Sequence, residues 1–107
     1  MVLIVGGKHQ GKERYAKENY PDGEHVFDLH ERIHEVLSSG GGYEDLIEEI
    51  MLKENIVITC DEVGSGIVPA DRFQRNYREA VGNACMLIAK RAETVIRVCA
   101  GVGIKLK

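Results

Sequence analysis

The chain has 107 residues, with 14 Lys and Arg against 17 Asp and Glu, a formal charge of −3 and a pI near 5.8, so it carries no overall basic footprint for nucleic acid. With 44% hydrophobic and 29% charged residues it has an ordinary globular composition, long enough for one domain with one core. Apolar runs end within about six residues, which excludes a membrane span, and the start lacks the basic and apolar regions of a signal peptide, so a cytoplasmic location is expected.

Val2-Leu3-Ile4-Val5 reads as a buried strand. Gly6-Gly7-Lys8-His9-Gln10-Gly11-Lys12 follows, with a helix-compatible run after it. This is the G-x-x-x-x-G-K pattern in its expected setting, between strand and helix. Glycines let backbone N–H groups turn in around a phosphate, the helix N-terminus adds partial positive charge, and Lys12 completes the cradle. Gly6, Gly7, Lys8, His9, Gln10, Gly11, Lys12 and Glu13 are therefore the candidate nucleotide-binding residues. Glu13 stands where the pattern calls for a Ser or Thr that ligates Mg²⁺. A carboxylate also ligates Mg²⁺, but at ~5 Å from a phosphate it costs about 3 kcal/mol of repulsion.

Residues 12 to 19 are expected to form a short charged helix ending at the turn Tyr20-Pro21-Asp22-Gly23. His25-Val26-Phe27 is a second strand, and Asp28 is placed to cap a helix through Leu29, Ile33, Val36 and Leu37 that the run Ser38-Ser39-Gly40-Gly41-Gly42 breaks. Residues 43 to 53 resume as an amphipathic helix with Leu46, Ile47 and Ile50 on one side. Ile56-Val57-Ile58-Thr59-Cys60 is the third strand, apolar throughout as parallel strands covered on both faces are. Asp61 and Glu62 follow at its carboxyl end, where open parallel sheets bind ligands. Asp61 is a candidate metal ligand and Glu62 a candidate catalytic residue.

A loop from Gly64 to Pro69 leads into a long helix over residues 70 to 91. Phe73, Tyr77, Ala80, Val81, Ala84 and Ile88 form its buried stripe, and Arg72, Arg75 and Arg78 line a polar flank as candidate phosphate or substrate contacts. Thr94 to Cys99 is the fourth strand, and Ile104-Lys105-Leu106-Lys107 alternates like an edge strand. Strand and helix thus alternate into a three-layer α/β domain with a small, mostly parallel sheet. Cys60, Cys85 and Cys99 are odd in number, contain no C-x-x-C, and fall within apolar patterns, so all are expected as buried structural thiols.

His30-Glu31-Arg32-Ile33-His34 spells H-E-x-x-H, which on a helix suits zinc with the glutamate as base. Arg32 sits inside the motif, a glycine run follows it, and Glu44, Asp45 or Glu48 would have to supply a third ligand. His9 has a possible phosphate contact, and His25 has no evident role.

Residues 61 to 107 carry a more specific pattern: Asp61-Glu62-Val63-Gly64-Ser65-Gly66-Ile67-Val68-Pro69, then Arg72-Phe73-Gln74-Arg75-Asn76-Tyr77-Arg78-Glu79, then Ala100-Gly101-Val102-Gly103-Ile104-Lys105-Leu106-Lys107. This stretch resembles the end of the adenosylcobinamide kinase / adenosylcobinamide-phosphate guanylyltransferase family, and the Gly6 to Lys12 loop is similar to that family's nucleotide loop. The resemblance implies a RecA-like P-loop NTPase fold with an antiparallel C-terminal edge strand. It also implies ATP or GTP as substrate with Mg²⁺, adenosylcobinamide as acceptor, GMP transfer through a histidine, and a homo-oligomer. On this reading Lys12 and the loop amides hold phosphates, Glu62 lies in the active-site region, and the three arginines gain support. The chain departs from the family in lacking its middle segment, with the acceptor histidine and an acidic strand. It also departs in having Asp61 where Asn is usual, Glu13 for Ser, and Asn83-Ala84-Cys85-Met86 in a usually more polar helix. His30 and His34 do not inherit the acceptor role, because their flanks do not match.

Three functions follow as expectations. The first is a minimal kinase that retains phosphoryl transfer and not the guanylyl step. The second is an inactive nucleotide-binding paralogue acting as a partner or regulatory subunit, and the third, more distant, is a zinc hydrolase built on His30 and His34.

Overall fold

A computed structural model describes residues 1–63 and 71–107. The glycine-rich segment from Gly64 to Pro69, and the expected helix start at residue 70, lie outside the described residues. In chain order the elements are β1 (Val2–Gly6), α1 (Lys12–Asn19), β2 (Glu24–Val26), α2 (Leu29–Ser38), α3 (Glu44–Met51), β3 (Ile56–Asp61), α4 (Arg72–Arg91), β4 (Thr94–Cys99) and β5 (Val102–Lys105). The last strand begins two residues earlier than its alternating pattern suggested.

The five strands form one sheet in the order β2-β3-β1-β4-β5. β1 pairs in parallel with β3 and β4, β2 pairs in parallel with β3, and β5 runs antiparallel to β4. Side chains alternate across each strand, so consecutive apolar residues serve opposite layers. Leu3, Ile58 and Val95 pack with Leu29, Ile33, Ile47, Ile50, Ala84 and Ile88 from α2, α3 and α4. Ile4, Val57, Ile96 and Val98 pack with Ala16 of α1 on the other face. The continuous β-branched runs are thus explained by burial on both sides.

Chain direction sets which helix takes which face. From β1 the chain crosses past β3 to β2 through α1, whereas from β3 it crosses past β1 to β4 through α4, in the opposite sense. Crossovers of uniform hand then put α1 and α4 on opposite faces, as the two core clusters do. The connections leaving the neighbouring strands β1 and β3 therefore diverge and open a crevice at their carboxyl ends, where ligands sit in open α/β sheets.

Two expectations need correction. Asp28 holds the N-cap position of α2 but makes no side-chain cap hydrogen bond. Its backbone is left-handed, at φ 57° and ψ 55°, and its N–H donates to the Thr59 hydroxyl at 2.9 Å, which turns the carboxylate away from the first turn of the helix. The cysteines also differ among themselves: Cys60 is buried, Cys85 is half-buried and Cys99 is exposed near the end of β4, on the strand's solvent-facing side with Arg97. A hydrogen bond with Cys85, and then burial, push the Cys60 thiol up, so it stays protonated. The structural reading holds for Cys60 and not for Cys99.

Candidate functional site

Gly6 ends β1 opposite Val98, and a Cβ there would lie 2.5 Å from the Val98 carbonyl oxygen, so only glycine lets the strand pass this close to β4. The loop then turns through left-handed conformations at His9 (φ 60°) and Gly11 (φ 91°), and α1 begins at Lys12, where the sequence placed the start of its short charged helix. The loop is tied down at its far side by the turn between β4 and β5. The Gln10 side-chain oxygen accepts the Ala100 N–H at 2.6 Å, and the Gln10 carbonyl accepts the Gly101 N–H at 2.9 Å. Lys8 and His9 are exposed at the tip.

Lys12 is buried, with its side chain only 6% exposed, although it is the cation of the motif. Its ammonium donates to the Gly7 carbonyl at 2.8 Å and pairs with Asp61 Oδ1 at 2.7 Å. The loop and the end of β3 are thereby joined through one charge pair, and the Glu62 N–H extends the β1–β3 ladder to the Gly6 carbonyl at 2.8 Å.

His30, in the first turn of α2, faces the same carboxylate. The Asp61 N–H donates to His30 Nδ1 at 3.0 Å, and His30 Nε2 lies 3.3 Å from Asp61 Oδ2. An imidazole that accepts at Nδ1 carries its proton on Nε2, so this pattern assigns a neutral ring donating to the carboxylate. Asp28, His30 and Asp61 bring ligand-type atoms within 4.8 Å of one another. With Nδ1 occupied and Nε2 protonated, His30 is a donor here, and the remaining donor set is the two carboxylates. Hard oxygen donors beside a phosphate loop fit Mg²⁺, which keeps several waters and takes one or two carboxylates.

A cavity of about 530 Å³ lies over these groups, bounded by the loop from Lys8 to Lys12, by Asp28, His30 and Asp61, and by Tyr77 of α4. Glu13 borders the cavity while pairing with Lys17, one helical turn on, at 3.1 Å. Glu62 takes another direction: Arg97 Nε lies 2.9 Å from its Oε1, and Arg97 Nη2 donates to its Oε2 at 3.3 Å. Arg72 and Arg75 are exposed and Arg78 is half-buried along the start of α4, and among the described residues none of the three lines the cavity. His34 packs edge-on against Phe73 and Tyr77 at ring separations of 5.2 and 5.1 Å; among the described residues, the metal-competent group includes His30 but not His34. His25 Nε2 lies 2.8 Å from the Tyr20 carbonyl, and its ring stacks on Phe27.

The expected loop, Lys12 and Asp61 come together, whereas among the described residues Glu62 and the three arginines do not line the cavity. Asp28, Tyr77 and Arg97 were not singled out for this place by the sequence. Asp28 carried a usable signal, since it directly follows the expected strand His25–Phe27 as Asp61 follows Ile56–Cys60, and so reaches the same sheet edge.

A parallel sheet, a glycine loop entering a helix at the diverging strand ends, and a buried loop lysine together define a P-loop fold. Residues 29–106 match the family described as cobinamide kinase / cobinamide phosphate guanyltransferase, about three quarters of this chain. The chain belongs to that family. The match begins after the glycine loop, so the loop's assignment rests on its own sequence and geometry. Two curated relatives, each called bifunctional adenosylcobalamin biosynthesis protein CobU, come from Salmonella typhimurium LT2 and Escherichia coli K12. Each is 38% identical over 52 residues, which are 49% of this chain and 29% of the relative. The matched segment thus spans under a third of either relative's length. Among the described residues, no helix is long and apolar enough to cross a membrane.

Proposed function

We propose that this chain is a single nucleotide-binding domain, residues 1–107, that transfers a phosphoryl group from ATP or GTP to an alcohol, with adenosylcobinamide as the first acceptor to test. The observation that carries the reading is the buried Lys12 ammonium, held between the Gly7 carbonyl and Asp61 at the mouth of the cavity. In this reading the loop from Gly6 to Glu13 wraps the nucleotide's phosphates and Lys12 contacts the terminal ones. Asp28 and Asp61, with Glu13 at the loop's Ser/Thr position, hold Mg²⁺. When bound, the ion supplies charge neutralisation on the phosphate oxygens.

Phosphoryl transfer is mostly positioning and charge stabilisation and needs no protein nucleophile, so the kinase-type step is the one this chain's residues support. Arg72, Arg75 and Arg78, at the opening of α4, are the proposed contacts for the nucleotide's phosphates or for the substrate. Glu62 is proposed to act at the rim, oriented by Arg97. Work as a homo-oligomer in the cytoplasm, without nucleic acid, belongs to the same proposal.

One observation favours a second reading, a non-catalytic nucleotide-binding partner or regulatory subunit. Glu62 is already engaged by Arg97 through both carboxylate oxygens, and this leaves no free acid at the position assigned to chemistry. Incubation with adenosylcobinamide and ATP or GTP labelled at the γ- or α-phosphate separates the two. Label from the γ-phosphate in cobinamide phosphate is the expected result. GMP on the protein would mean that the guanylyl step persists, and nucleotide bound without turnover of adenosylcobinamide would favour the partner reading over this acceptor.

A further inference from the structure

The charge that a phosphate loop offers its ligand is here already spent. The Lys12 ammonium lies 2.7 Å from Asp61 Oδ1, and the two side chains are 6% and 15% exposed, so water screens the pair little. The other oxygen of Asp61 faces His30 Nε2 at 3.3 Å, and the Asp61 amide occupies the far ring nitrogen, so the imidazole fixes the carboxylate without adding charge. Asp28 contributes a second carboxylate within 4.8 Å of the same group. Lys12, Asp61 and Asp28 together leave one net negative charge at the spot a polyphosphate must enter. A divalent cation between the two carboxylates reverses that sign to one net positive.

We propose that Asp61 makes this site selective for the metal complex of its nucleotide: Asp61 holds Lys12 as an intramolecular counter-ion and hands it to the phosphates only when a divalent cation takes up the carboxylate. The inference rests on the nucleotide-binding reading above and adds to it a specificity-determining residue. Free ATP or GTP has to displace Asp61 from Lys12 and leave a buried carboxylate facing phosphate oxygens. The metal complex brings Asp61 its new partner in the same event.

At a separation of ~5 Å and an effective dielectric near 20, one such repulsion corresponds to about 100-fold in affinity. The test is calorimetric titration of ATP and of GTP into the full chain, in excess Mg²⁺ and again in EDTA. For the native chain the expected gain on adding Mg²⁺ is about 100-fold. In Asp61→Asn, whose amide oxygen still accepts from His30, the EDTA affinity should rise about 100-fold and the Mg²⁺ gain should fall below about tenfold. Asp61→Ser, smaller and also neutral, should behave the same way and serves if Asp61→Asn does not fold, as judged by its melting curve. A Mg²⁺ gain of the same size in the native chain and both variants overturns the proposal, as does native binding that is equal in Mg²⁺ and EDTA. Absence of any binding by the native chain in either condition overturns the nucleotide reading itself, so the two failures are distinguishable.

Discussion

Tyr77 shows how one side chain couples the cavity to stability. It closes the cavity from α4, and burial, followed by the negative carboxylates of Asp61 and Glu31, pushes its phenol from an ordinary value near 10 up to about 12. A neutral phenol is therefore what the folded state holds, and between pH 10 and 12 the unfolded chain loses this proton while the folded chain retains it. The contribution is complete below pH 10 and disappears as pH rises through 12. Tyr77→Phe cannot ionise at this position, so its melting temperature should fall less steeply than that of the native chain across this window. Parallel melts at half-unit pH steps, referenced to neutral pH, read this directly, and equal slopes would mean that the other tyrosines account for the alkaline loss. His30 works by a different logic at the same site: the Asp61 amide donates to Nδ1 and aims Nε2 at the Asp61 carboxylate, so the ring orients that carboxylate.

At the scale of elements, the phosphate loop is a joint between the sheet's first strand and its last hairpin. The Gln10 side chain accepts from the Ala100 N–H and the Gln10 backbone from the Gly101 N–H, at residues with φ of 50° and 77°, which aims both amides at the loop. Tyr15 of α1 packs so closely on Gly103 of β5 that a Cβ there would collide with its ring, so α1 as well as the loop is held against the hairpin. Gln10→Ala removes one of these bonds and should cost about 1 kcal/mol in urea denaturation. If the loop is the nucleotide site, the same variant should also lower affinity for Mg-ATP severalfold, because a looser loop pays more entropy to close on phosphate. Gln10→Glu keeps the acceptor and should retain the stability, which separates loss of the tether from loss of side-chain volume.

This joint marks where the sequence stopped being readable. Periodicity located every strand and helix to within a few residues, because Val2 to Val5 and Ile56 to Cys60 are apolar runs buried at their centres, Val95, Ile96 and Val98 anchor the fourth strand, and the glycines punctuate them. Partnership was not visible. Nothing local says that β2 pairs with β3 rather than β1, and that pairing is what brings Asp28 beside Asp61. Asp28 resembled a helix cap because its local context is a cap position, and only the Thr59 hydroxyl, 31 residues away in sequence, shows why its backbone turns instead. Arg97 reads as an outward-facing strand residue for the same reason, since its partner Glu62 belongs to a different part of the chain.

At the scale of the whole molecule, two apolar clusters on opposite faces of one sheet raise the question of whether they unfold together. Each central strand serves both: Leu3 and Ile4, Val57 and Ile58, Val95 and Ile96 are neighbours in the chain and members of opposite clusters. Losing one helical layer would expose a full face of the sheet while the other face remained packed on the same backbone, so the two clusters are expected to unfold together. The Cα radius of gyration, 13.4 Å, agrees with about 13 Å for a compact chain of this length. Ile4→Val and Ile58→Val, both in fully buried positions but on opposite faces, should each cost about 1 kcal/mol. Each should lower one shared melting transition by roughly 4–8 °C, with backbone circular dichroism and tyrosine fluorescence coinciding. A biphasic melt in which Ile4→Val moves one phase and Ile58→Val the other would divide the chain into two units and overturn the single-domain reading.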